Sequence, residues 1–215
     1  MNIAGVVFDL DGVLVDSEHL WDDARRELVA ERGGTWRDDA TPAMMGMSAP
    51  EWSRYLHDQL GVDLEPPAIS AAVVERLERL YRERLPLLPG AREAVSSASE
   101  QWPLGLASSA NREIIDLVLE LAQLEEYFAA TVSSEEVARG KPAPDVYLEA
   151  ARRLGVAATQ CAAVEDSTNG LCAAAAAGMT VIAVPNQEFP PAGDALRLAT
   201  AVIPSLDALL PALRS

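Results

Sequence analysis

Ile3-Ala-Gly-Val-Val-Phe8 is an apolar run that ends abruptly in Asp9-Leu-Asp11-Gly12. A short stretch without polar alternation describes a strand covered on both faces, as in a parallel sheet. No convincing strand follows between Asp16 and Arg84. Residues 17–32 read as a helix, with Ser17 placed to cap it and Gly33-Gly34 to stop it. Helical patterns recur at 50–60 and 68–84, and Pro86-Leu-Leu-Pro-Gly90 then breaks the run.

Beyond Gly90 the rhythm changes to alternation. Helical segments at 91–100, 111–121, 144–154 and 167–177 are each followed by a short apolar strand, at 104–108, 129–132, 161–164 and 180–184. A last strand at 201–203 and a helix at 206–213 close the chain. Such alternation builds a parallel sheet wrapped by helices on both faces. The expected architecture is therefore α/β: a doubly wound parallel-sheet core of residues 1–15 and 86–215, interrupted after its first strand by an all-helical cap of residues 16–85.

With 215 residues, 49% of them hydrophobic, the chain can bury a sizeable core. A formal net charge of −16 argues against a nucleic-acid binder and against a peripheral anchor on anionic lipid. An anionic substrate would have to be attracted locally, by a metal ion and a few aimed donors. The first residues lack the basic region and cleavage site of a signal peptide, and no apolar run is long enough for a membrane span. These features lead to the expectation of a cytoplasmic protein, monomeric or weakly self-associating, with a small phosphorylated metabolite as its partner. Cys161 and Cys172 have neither framework nor metal-ligand spacing and read as a buried, reduced pair. Of 17 basic residues, Lys141 alone is lysine, which marks it as a position where an arginine fork does not serve.

In open α/β sheets, ligands bind beyond the carboxyl ends of the strands. The first strand ends in Asp9 and Asp11, the next in Ser108-Ser109, and the strand from Cys161 in Glu165-Asp166. Lys141 stands in Gly140-Lys-Pro-Ala-Pro144, at the entry to a helix. Carboxylates, hydroxyls and one ammonium are the inventory for a hard divalent cation and a phosphoryl group. Asp9 and Asp11, two apart, can share a neighbourhood in which one attacks phosphorus and the other manages protons; alternatively they only initiate a turn. Gly12 permits a backbone turn that a Cβ would disfavour. One acid of Glu165-Asp166 is explained by helix capping, whereas two at the end of a buried strand suit Mg²⁺. Ser108-Ser109 can both cap a helix and bind an anion there.

Asp9-Leu-Asp-Gly-Val-Leu-Val-Asp-Ser17 resembles the first motif of the haloacid dehalogenase superfamily. Ser108, Gly140-Lys-Pro-Ala-Pro-Asp145 and Val164-Glu-Asp-Ser-Thr-Asn-Gly170 resemble its second to fourth motifs, in order. The likeness is to the β-phosphoglucomutase-like branch, whose helical cap is inserted after the first motif. It implies that Asp9 is the nucleophile, forming an aspartyl-phosphate, and that Asp11 is the acid and base. It also implies that Asp9, the Asp11 backbone carbonyl and Asp166 hold Mg²⁺, with Glu165 bound directly or through water. Lys141, Ser108 and Ser109 would hold the phosphoryl oxygens.

Within that superfamily, Asp11 speaks against haloacid chemistry, and a cap without lysine speaks against a Schiff base and phosphonate hydrolysis. A sugar-phosphate mutase shares the same acids, but the turn Gly46-Met-Ser48 is followed by Ala49 where mutases carry a basic anchor; Arg54 could substitute from another position. Hydrolysis of a small phosphate monoester is the favoured expectation, with the mutase as alternative. A catalytically silent binding module on the same fold would show an eroded acid, and none is eroded. Substrate-facing candidates are Ser17, Glu18, Trp21, Gly46, Met47, Ser48 and Trp52, with Asn111 and Arg112 from the core; Trp21 and Trp52 suit cap packing equally.

Overall fold

The computed structural model describes residues 3–45 and 47–215. Gly46, expected on the substrate-facing surface, lies outside them. Six parallel strands form one sheet among these residues: β1 (Gly5–Phe8), β2 (Leu104–Ser108), β3 (Phe128–Ser133), β4 (Cys161–Glu165), β5 (Thr180–Ala183) and β6 (Ala201–Val202). Their order is β3-β2-β1-β4-β5-β6, so the winding direction reverses at β1. Neighbouring side chains go to opposite faces, as the pleat requires. Val6, Phe8, Leu104, Leu106, Ala162, Val164 and Ile182 enter one core, and Val7, Ala107, Cys161, Ala163, Val181 and Ala183 the other. Burial on both faces is why β1 reads as an unbroken apolar run.

Among the described residues five helices lie between β1 and β2 in the chain: α1 (Glu18–Glu31), α2 (Ala40–Met44), α3 (Ala49–Asp58), α4 (Pro66–Glu83) and α5 (Ala91–Ser99). The remainder are α6 (Arg112–Ala122), α7 (Asp145–Leu154), α8 (Thr168–Ala176), α9 (Gly193–Leu196) and α10 (Leu209–Arg214). The two chain segments that join the inserted helices to the core run side by side. Asp16 N–H donates to Pro86 O at 2.8 Å, and Leu88 N–H to Leu14 O at 2.9 Å. The cap, the all-helical insert formed by α1 to α4, packs α4 between α1 and α3 and touches the core at α6. Asn169 Nδ2, at the start of α8, donates to Met45 O at 3.1 Å, so cap and core also meet over the strand ends.

The structure differs from the sequence reading in several details. Helices α2 and α9 were not expected, since five and four residues are too few to display a period. The segment expected as one helix from 206 starts as a single 3₁₀ turn before α10. Ser17 begins α1 without capping it through its side chain, because its hydroxyl has another partner. Both cysteines are free, but only Cys161 is fully buried; Cys172, on α8, is half-buried.

Candidate active site

At the sheet's switch point the tips of β1, β2 and β4 lie side by side, with Phe8 in register with both Leu106 and Val164. Asp9 leaves β1 with its N–H still bonded to Val164 O at 3.0 Å. Glu165 ends β4 and Asp166 follows it, while Lys141 arrives from the loop that enters α7. Lys141 Nζ donates to Asp9 Oδ1 at 2.8 Å and to Glu165 Oε1 at 2.6 Å. The Tyr147 hydroxyl donates to the same Glu165 oxygen at 2.9 Å. Glu165 Oε2 accepts from Asp166 N–H (2.9 Å), Ser167 N–H (3.0 Å) and the Ser167 hydroxyl (3.1 Å). Five donors hold this carboxylate in place, and it in turn aims the lysine. A Cβ on Gly170 would lie 1.7 Å from Glu165 Oε1, so the glycine ending the fourth motif makes room for that carboxylate.

Asp9, Glu165 and Asp166 are buried and bring one oxygen each to within 4.8 Å of one another. Burial pushes the Asp9 carboxyl up to about 8, with the Glu165 and Asp11 charges adding to the rise and Lys141 opposing it. Asp166 is raised well above the ordinary carboxylate range, again by burial first and then by Glu165 and Asp9. Its Oδ1 is buried without a hydrogen-bond partner. An orphaned carboxylate oxygen beside two further buried acids is a donor set that fits a hard divalent cation. Glu165 belongs to this set by position, but its oxygens are the most fully engaged of the three. Gly12 has φ +76°, and a Cβ there would come within 2.0 Å of Asp166 Oδ2, so the turn after the first motif needs glycine for room as well as conformation.

Asp11 stands at the rim. Its Oδ1 accepts from the Ser17 hydroxyl at 2.5 Å and from Trp21 Nε1 at 3.1 Å. These two donors tie the carboxylate to the first turn of α1. Asp9, Asp11, Lys141, Asp166 and Ser109 open onto one cavity, which the cap roofs with Glu18, Trp21, Arg25, Met47 and Trp52. The space beneath this roof is about 50 Å³, enough for a few water molecules. Beneath it, Ser108 is fully buried, and its oxygen accepts from Ala110 N–H at 3.0 Å, which leaves the hydroxyl proton free to donate.

Several expected residues are not brought to this cavity. Ser17 is fully buried and spends its hydroxyl on Asp11. Ser48 closes a capping box at α3 with Glu51. Asn111 bonds Ser70 and Glu135 and lines a different cleft, between cap and core, together with Arg54. Arg112 points along the outer surface to Glu136, Asp116 and Thr131. Both follow from the rotation of the first turn of α6, which loop spacing does not reveal. The residue missed is Arg25. Its signal was present: Trp21, Arg25 and Leu28 are spaced four and three apart, placing a charge in the middle of the buried stripe of α1.

Comparison with known proteins agrees with this geometry. The description "haloacid dehalogenase-like hydrolase" matches residues 3–178. The chain is 38% identical over 198 residues to hexitol phosphatase B of Escherichia coli K12, covering 86% of this chain and 85% of that protein. It is 32% identical over 183 residues to the fructose-1-phosphate phosphatase YqaB of the same organism, covering 84% and 96%. The crystal structure of CbbY from Rhodobacter sphaeroides in complex with phosphate superposes with a TM-score of 0.84 at 28% identity, over 96% of each chain. On the family match and these identities, the chain belongs to the haloacid dehalogenase-like hydrolases.

Proposed function

We propose that the protein is a phosphatase for small phosphate monoesters of the sugar-phosphate class, working through a phosphoaspartate on Asp9. The observation that carries this reading is the Lys141 ammonium clamped between Asp9 and Glu165, beside the unpartnered Asp166 oxygen and under a cavity roofed by the cap. Sugar-phosphate phosphatases among the relatives support the same substrate class. Asp9 and Asp166 carboxylates with the Asp11 backbone carbonyl would hold Mg²⁺, and Glu165 would act mainly by positioning Lys141. When bound, the ion neutralises charge so that a carboxylate can approach a phosphate dianion.

In the first half-reaction, an Asp9 oxygen bonds to phosphorus as the ester oxygen departs, taking a proton from the Asp11 carboxyl. Asp11, now ionised, removes a proton from water as the water oxygen attacks the phosphoaspartate. Phosphate leaves, and both aspartates return to their starting state. Lys141 and the hydroxyls of Ser108 and Ser109 stabilise the phosphoryl oxygens. The cap roofs part of this cavity, so a parting of cap and core would widen the way in for the substrate. Two free cysteines suit a reducing, cytoplasmic setting.

The test is a panel of phosphate esters assayed with Mg²⁺ and after chelation, beside Asp9→Asn. We expect the substitution to reduce turnover by about 10,000-fold or more. Retained turnover would refute the nucleophile. The mutase alternative is separated by its product: glucose 1-phosphate gives free phosphate from a hydrolase and the 6-phosphate from a mutase.

A further inference from the structure

Arg25 is 7% exposed, on the buried face of α1, yet it lines the cavity above Asp9. Its guanidinium carbon lies 4.9 Å from the Trp21 ring centre and 5.1 Å from that of Trp52, and the two indoles meet edge to face at 6.0 Å. Cation–π contact with two rings fixes the guanidinium in place without using its donors. Among the described residues no carboxylate forms an ion pair with it, and its Nε is buried with no hydrogen-bond partner. A desolvated cation with unused donors is costly to maintain, and the fold retains this one facing the substrate space.

Glu18, seven residues or two turns earlier on the same helix, lines the same cavity. Its charge acts on Arg25, as do those of Asp22 and Asp11, but among the described residues no ion pair joins Glu18 to Arg25. The cavity roof thus presents a donor fork and a carboxylate acceptor that are not bonded to each other. A hydroxyl suits such a pair, because it accepts from the guanidinium and donates to the carboxylate. A second phosphate or a carboxylate would satisfy Arg25 but would be set against the Glu18 carboxylate, with no proton to give it and little water between them.

We propose that Arg25 and Glu18 form a hydroxyl-reading pair, which selects phosphate esters whose distal end is a neutral polyol over bisphosphates and phosphorylated acids. This rests on the phosphatase reading and narrows its substrate class. The Trp21 and Trp52 rings position the guanidinium, and Arg25 makes the contact.

The test compares wild type, Arg25→Met, Arg25→Lys and Glu18→Gln on four probes: sorbitol 6-phosphate, p-nitrophenyl phosphate, phosphoglycolate and glucose 1,6-bisphosphate. Wild type should prefer sorbitol 6-phosphate to the two probes with anionic tails. In Arg25→Met, the ratio of kcat/KM for sorbitol 6-phosphate over p-nitrophenyl phosphate should fall about 10- to 100-fold, the effect of losing hydrogen bonds to a charged group. Arg25→Lys should recover only part of that ratio, since an ammonium lacks the fork. Glu18→Gln should lower the preference for the polyol over the bisphosphate. Equal losses on every probe, at an unchanged ratio, would assign Arg25 a structural role and overturn the proposal, as would a wild-type preference for phosphoglycolate or the bisphosphate. If wild type hydrolyses none of the four, the phosphatase reading itself fails, which is a different result.

Discussion

Lys141 is 3% exposed and touches two carboxylates, with Tyr147 beneath it at 4.9 Å from ammonium to ring centre. Burial works against its charge, but Asp9 and Glu165 outweigh that and hold its pKa above the ordinary lysine value. A compact ammonium can bridge two oxygens in so small a space, whereas a guanidinium requires a larger planar one. Lys141→Arg therefore keeps the charge and loses the fit. Overpacking of this kind costs about 1–3 kcal/mol, and we expect a lower denaturation midpoint together with a collapse of kcat. A fully active, equally stable arginine variant would show that charge alone is needed. The sole lysine of the chain was thus legible in the sequence as a special position, though the reason became visible only with both carboxylates in contact. Arg25 was equally present in the sequence and was passed over, because a charged residue in a helix is ordinarily solvated.

At the scale of elements, the outer edge of the core is tied by an ion cluster that joins α6, the end of β3 and α7. Glu136 accepts from Arg112 on α6, from Arg153 on α7 at 2.7 Å, and from Ser133 N–H at 3.1 Å. Burial acts to raise the Glu136 pKa, but Arg112, the Ser133 N–H and Arg153 together pull it down to about 2 from an ordinary 4.5. A carboxyl depressed on folding stabilises the native state above its unfolded pKa and loses that contribution as pH falls through the folded one. The window is therefore pH 4.5 down to about 2. Since the cluster is partly exposed, Glu136→Gln should cost at most about 1 kcal/mol near neutral pH. Urea unfolding curves should show that difference shrinking within the acid window; a difference independent of pH would mean the cluster contributes by packing. Asn111 and Arg112 were expected at the active site because they follow Ser108-Ser109, but the helix they begin turns both toward neighbouring elements.

For the whole molecule, the acidic pocket couples ion binding to stability. Three buried carboxylates around one point repel each other, and a cation that binds only the folded chain raises its stability by mass action. Mg²⁺ at roughly 100 times its Kd should stabilise the protein by about 2.7 kcal/mol, read as a rise in Tm that chelation reverses. Asp166→Asn should abolish most of that rise, and an unchanged Tm across the titration would remove the metal from the proposal. The alternating pattern after Gly90 was sufficient to give the doubly wound sheet, and the sheet dictates that the residues after β1, β2 and β4 converge, because parallel strands end together on one side. For that reason the amino-acid sequence alone determined the architecture and the grouping of Asp9, Ser108, Glu165 and Asp166. The cap is different, since what its residues face depends on how α1 and α3 rotate and seat against a core distant in sequence. Only the tertiary structure decided that Ser17 and Trp21 hold Asp11, that Arg112 turns away, and that an unpaired Arg25 looks down on the nucleophile.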